Sequence, residues 1–187
     1  MKVLAHAAVP DVRLLEPEAS GDGRGFLFES FNRRDWEAAL GAPLEFVQEN
    51  HSLSTRHVLR GLHYQLAHPQ AKLVRVVRGE AFDVAVDLRR GSRTFGRWSG
   101  TVLSAENRLQ AWIPTGFAHG FLVLSDVAEV IYKLSDYWRP DDQHCIRWDD
   151  PDLAVAWPLG GAVPVLSGRD AAGKRLAESP VFDVERA

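Results

Sequence analysis

The sequence predicts a mainly β domain of the sandwich or barrel class, on three observations. Short stretches of period-2 alternation recur from about residue 44 onward. Gly, Pro and Asp turns separate them, and a single stretch carries a helical pattern. Many short strands divided by such turns are characteristic of two packed sheets or a closed barrel. The 187 residues suffice for one domain with a sizeable core, so a single domain over 1–187 is expected.

The elements follow in order. A short apolar run after Val12 ends at the turn Gly21-Asp22-Gly23-Arg24-Gly25, and Phe26, Phe28 and Ser30 then alternate as a strand would. A helix is expected over Arg33–Leu40, with Asn32 as N-cap and Gly41 as its stop. Leu44–Val47 reads as a strand. Lys72–Arg78 and Ala81–Leu88 read as a hairpin about Gly79-Glu80. Within the second arm, Phe82, Val84, Val86 and Leu88 share one face and Ala81, Asp83, Ala85 and Asp87 the other. Gly96–Leu103, Gln110–Ile113, Phe121–Leu124 and Val127–Leu134 are further strands. A loop-rich tail runs over 158–187 with a polar turn at Ser167–Asp170.

Composition removes several function classes. A net charge of −3 gives no bulk attraction to nucleic acid or to an anionic membrane. The segment from Met1 to His6 has no signal-peptide core, and no apolar run approaches the roughly 20 residues of a membrane helix. Cys145 is the one cysteine, so no intrachain disulfide forms, which fits a reducing cytoplasm.

Two motifs carry histidines. Arg60-Gly61-Leu62-His63-Tyr64-Gln65 puts His63 at a strand end just before the expected hairpin. Pro114-Thr115-Gly116-Phe117-Ala118-His119 is a tight turn delivering His119 to a strand, as in the second half of a cupin signature. Metal cupins carry two histidines one residue apart in the first half, with a Glu soon after; here His63 stands there alone. A transition metal takes three or more protein ligands, so the barrel is read as metal-free. Alternation places Val130, Tyr132 and Leu134 on one face of their strand. Trp138 is a candidate stacking platform for a flat base.

Further stretches run in order along the chain: Phe46-Val47-Gln48-Glu49-Asn50-His51, Lys72-Leu73-Val74-Arg75, Phe82-Asp83-Val84-Ala85-Val86-Asp87 and Leu166-Ser167-Gly168-Arg169-Asp170. With the two histidine motifs, they closely resemble the dTDP-4-dehydrorhamnose 3,5-epimerase family, cupin-like proteins of deoxysugar biosynthesis. The resemblance implies a double-stranded β-helix (jelly-roll) barrel with a few short helices. It implies a dTDP-linked 4-keto-6-deoxysugar as substrate, no cofactor, and a homodimer whose N-terminal strands, about 1–50, are exchanged.

Residue by residue, the resemblance makes His63 the base, Asp170 its partner, Tyr132 the acid on the opposite face and Lys72 the cation beside the developing enolate oxygen. The chemistry needs such a set: a C–H beside a ketone is weakly acidic, and inversion takes a proton from one face and returns one to the other. The resemblance also implies base and sugar contacts from Glu29, Gln48, Glu49 and Asn50, stacking by Trp138, and diphosphate contacts from Arg24, Arg60 and Arg169. Gln143 stands where the family often carries an acid. From strand order alone, Asp83 and His119 are expected to hydrogen-bond and line the sugar pocket. The alternatives are an epimerase acting at C3 or C5 only, a ketoisomerase, and a non-catalytic sugar-nucleotide-binding cupin.

Overall fold

The computed structural model describes residues 2–5 and 8–183; the ends of the expected domain and of its tail lie outside the described residues. The chain opens with β1 (Lys2–Ala5), β2 (Arg13–Glu16), β3 (Ser20–Asp22), β4 (Gly25–Leu27) and helix α1 (Arg33–Leu40). Next come β5 (Gln48–Thr55), β6 (Leu59–Gln65), β7 (Lys72–Arg78), β8 (Glu80–Asp87) and β9 (Arg89–Arg90). The second half holds β10 (Trp98–Ser104), β11 (Gln110–Ile113), β12 (Phe117–Val123), β13 (Val127–Leu134) and β14 (Gln143–Cys145). The tail adds α2 (Gly168–Ala171), a 3-10 turn at Leu176–Glu178, and β15 (Phe182–Asp183).

Two antiparallel sheets form the body. One is six-stranded, in the order β1-β2-β11-β7-β13-β5; the other is five-stranded, in the order β10-β8-β12-β6-β14. This is the mainly β, cupin-like architecture the sequence predicts. Their inner faces meet in a core of Val74, Val76, Ala111, Ile113 and Val130 from the first sheet and Ala81, Ala85, Leu103, Phe121 and Val123 from the second.

Four strand expectations are corrected. β7 and β8 are not a hairpin: each belongs to a different sheet. The chain crosses between sheets at Gly79, whose φ of 71° and closeness to the Val127 carbonyl exclude a side chain. The strand begun at Gly25 stops at Leu27, before Phe28 and Ser30. Leu44–Val47 is not a strand either; Leu44 is buried against α1, and its N–H donates to Glu37 Oε1 at 2.9 Å. His63 lies inside β6, not at its end.

The helix forms as expected. Trp36 and Leu40 are buried against Leu15 and Leu73 on the outside of the six-stranded sheet. Gly41 takes φ 71° and donates to the Glu37 carbonyl. Asn32 has extended backbone but makes no side-chain cap; its amide donates to Glu29 instead.

The two faces of β8 separate as their alternation requires. Val84, Val86 and Leu88 point outward and are covered, with Leu62, Tyr64 and Ile146, by Leu153 and Trp157 and by the tail residues Leu176, Val181 and Phe182. Burying each such side chain contributes about 1.5–3 kcal/mol. The tail is therefore fixed to the body, and it carries Asp170 to the cavity mouth.

Candidate active site

A cavity of about 450 Å³ opens between the two sheets. Its lining includes Gln48, Asn50, Arg60, His63, Lys72, His119, Tyr132, Trp138, Gln143, Arg169 and Asp170. Alternation explains the convergence: on β7, Lys72 shares the inward face with Val74 and Val76, and on β13 Tyr132 shares it with Val130.

Gly61 and Gly120 bring the two histidine motifs together. His119 and His63 are register partners on β12 and β6, and the register slips by one residue just beyond them. A Cβ on Gly61 would lie 2.6 Å from the Gly120 Cα, and one on Gly120 would lie 2.5 Å from the Arg60 carbonyl. Only two glycines let the strands approach so closely.

Asp170 meets His63 from the tail. Its Oδ1 lies 2.7 Å from His63 Nε2 and accepts the Gly61 N–H at 3.1 Å, while Oδ2 accepts the Ser167 hydroxyl at 2.6 Å. The His63 contact is close but not aligned as a hydrogen bond. Burial works to raise the Asp170 pKa, but His63, Ser167 and the Gly61 N–H outweigh it and hold the group at about 2. The carboxylate is thus charged, and it sits on the Nε2 side of the His63 ring.

Asp83 and His119 form a second pair, with Oδ2 and Nε2 2.7 Å apart and both side chains buried. Burial lowers the His119 pKa, against the pull of Asp83, so the ring is neutral. His119 lines the cavity; Asp83 stands behind it and does not. Lys72 is buried too, and its amine donates to the His63 carbonyl at 3.3 Å. Burial pushes its pKa down to about 8, with the Asp83 charge opposing.

The outer end of the cavity is polar. The Gln143 amide oxygen accepts the Trp138 indole N–H and an Arg169 N–H, each at 2.6 Å. Gln143 therefore performs with a neutral oxygen the bridging that a carboxylate would perform with charge. Gln48 Oε1 accepts the Trp138 backbone N–H at 2.9 Å, and its amide donates to Asn50 Oδ1. The indole of Trp138 stays half exposed.

Three other expected contacts fall outside the lining. Glu49 pairs with Lys133, because alternation along β5 turns it away from Gln48 and Asn50. Arg24 sits on the β3–β4 hairpin, bound to Asp22 and almost fully exposed. Glu29 accepts from Asn32 and does not line the cavity.

Sequence reasoning also missed contributors. Gln65 holds the Trp138 loop through bonds to the Tyr137 carbonyl and the Arg139 N–H. Gln70 donates to the Asp136 carbonyl at 2.8 Å. Gln65 lies in the His63 motif and so was visible; nothing in the sequence marks Gln70. Cys145 was noted only as unpaired. Its thiol lies beside His63 and Asp170, and burial, with the Asp170 charge, pushes its pKa up to about 12.

Comparison with known proteins finds relatives over nearly the whole chain. The family described as dTDP-4-dehydrorhamnose 3,5-epimerase matches residues 6–178. The chain is 59% identical to the dTDP-4-dehydrorhamnose 3,5-epimerase of Pseudomonas aeruginosa, over 94% of this chain and 96% of that protein. The crystal structure of dTDP-6-deoxy-D-glucose-3,5-epimerase from Legionella pneumophila, in complex with dTDP-4-keto-L-rhamnose, superposes with a TM-score of 0.95 at 47% identity and 98% coverage of both chains. ChmJ, a 3'-monoepimerase from Streptomyces bikiniensis in complex with dTDP-quinovose, superposes at 0.87 and 35% identity, over 93% of this chain and 88% of that one. The chain belongs to the dTDP-4-dehydrorhamnose 3,5-epimerase family.

Proposed function

We propose that this protein converts dTDP-4-dehydro-6-deoxy-D-glucose to dTDP-4-dehydro-L-rhamnose by inverting C3 and C5. The observation that carries the reading is the placement of His63 and Tyr132. They project from facing sheets into one cavity, and buried Lys72 lines the same space. A base and an acid on opposite walls suit inversion, where the proton leaves one face and returns to the other.

His63 takes the proton beside the C4 ketone, and Asp170 stabilises the imidazolium that results. The developing enolate oxygen draws on the Lys72 ammonium, which counts for more in a buried site than in water. Tyr132 delivers a proton to the other face. The C4 ketone itself serves as electron sink, so the scheme uses no cofactor. His119, neutral and held by Asp83, supplies a polar wall for the sugar. Trp138 stacks on the thymine, and Arg60 and Arg169 meet the diphosphate.

The working unit of this reading is a cytoplasmic homodimer. Phe26 is 63% exposed and Leu27 is 79% exposed on the β3–β4 hairpin, more apolar surface than a solvent-facing turn accounts for. Arg24 shares that hairpin, away from its own chain's cavity. A partner protomer would take up both the apolar tip and the arginine. Mixing Arg24→Ala with His63→Ala protomers tests this, because only shared sites restore activity in the mixture.

A second reading, inversion at one carbon, is favoured by the likeness to a 3'-monoepimerase. Incubating the keto-sugar in heavy water decides between them. Double inversion places deuterium at C3 and C5; label at one carbon overturns it in favour of the second reading.

A further inference from the structure

Beside the proposed base and its carboxylate lies a thiol, Cys145, that the epimerisation scheme does not use. A ring nitrogen of His63, the Cys145 thiol and an Asp170 carboxylate oxygen all lie within 4.8 Å of one another. We propose that these residues form an inhibitory site for a soft divalent cation of the Zn²⁺ class. The binding claim stands on the donor set; the inhibition claim rests on the assignment of His63 as base.

Strand pairing builds the set. Cys145 and His63 are register partners on β14 and β6. Directly opposed residues of an antiparallel pair project to the same side, so thiol and imidazole emerge next to each other. Asp170 reaches them from the tail and is held in place by the Gly61 N–H and the Ser167 hydroxyl. A carboxylate already oriented by hydrogen bonds makes a well-placed metal ligand.

The donor chemistry selects the ion. Imidazole, thiolate and carboxylate together suit zinc and disfavour the hard cations, which take oxygen ligands alone. Three protein ligands with a fourth position open is the pattern of a zinc ion that still meets solvent. Here His63 lines the cavity, which leaves that fourth position to water. Tetrahedral zinc holds its ligands about 3.3–3.8 Å apart, so adjustments on the order of 1 Å complete the shell. Cys145 Sγ has a long contact of 3.6 Å with the Ile146 carbonyl, a weak bond to exchange for a metal.

An ion held there engages the imidazole and breaks its link to Asp170, and the base is lost. The enzyme would then need no metal and yet be switched off by one. Two readouts test this on the full-length protein. Titration with Co²⁺ should produce a thiolate-to-cobalt charge-transfer absorption at one equivalent, absent from Cys145→Ser. Zn²⁺ should inhibit reversibly, with chelator restoring the rate, and Cys145→Ser should keep the metal-free rate while needing at least ten-fold more Zn²⁺ for half inhibition. Absence of the charge-transfer band, or equal zinc sensitivity in both proteins, overturns the site. A band with undiminished turnover overturns the inhibition claim and refutes His63 as base.

Discussion

His63 and His119 face each other as register partners on adjacent strands, and each is matched to its own carboxylate, Asp170 and Asp83 respectively. The two pairs differ in the histidine. The His63 side chain keeps a quarter of its surface exposed, whereas that of His119 is about 94% buried, and both carboxylates are about 95% buried. His63 is the more open of the two rings.

Replacing His63 with Ala removes the proposed base without touching Trp138 or Arg169. Turnover is expected to fall by about 10²–10⁴-fold, the range general-base loss produces. Nucleotide affinity, measured by calorimetry with dTDP, should change by less than a factor of about three. Full turnover in the variant would refute the assignment.

Tyr132→Phe should separate the two half-reactions. Deuterium wash-in at the carbon facing His63 should persist, while formation of inverted product falls by about 10²-fold or more. Equal loss of both signals would assign Tyr132 to binding instead.

Lys72 gives a pH dependence of definite sign. Its amine has a pKa lowered to about 8 by burial, so kcat/KM should fall as pH rises through about 8 and the ammonium is lost. Stability should move the other way. Between about 8 and the unfolded value of 10.5 the unfolded chain holds the proton and the folded chain does not, so stability rises with pH across that window. A rate profile flat across pH 8 would place the charge elsewhere.

Gly61→Ala should damage the fold and the site together. Its Cβ would meet the Gly120 Cα at 2.6 Å and the His119 carbonyl at 2.7 Å, on a backbone with φ of 115°. Relief requires β6 and β12 to part. A loss of about 2 kcal/mol or more is expected, read as a lower thermal midpoint, with reduced kcat because His63 moves as well. An unchanged midpoint would contradict the close approach.

Much of the fold was legible locally. β11 and β13 begin and end where alternation placed them, and α1 runs from Arg33 to Gly41's stop. These elements have strong periods or clear end signals. The error at β7 and β8 was of another kind. A Gly-Glu turn between two apolar runs signals a reversal, but a hairpin and a crossing between sheets share that signature. What separates them is the Val127 carbonyl packed against Gly79, a contact 48 residues away in sequence.

The same boundary runs through the site. By itself the sequence determined the two histidine motifs, the alternating faces of β8 and β13, and the resemblance that named the candidate residues. Those rest on side-chain periods and residue order, which are local. Only the tertiary structure decided that Glu49 turns away, that Arg24 lies outside its own cavity, and that Cys145 stands beside His63 and Asp170. Each depends on strand register or on where the tail packs, and those are fixed by contacts between segments far apart in the chain.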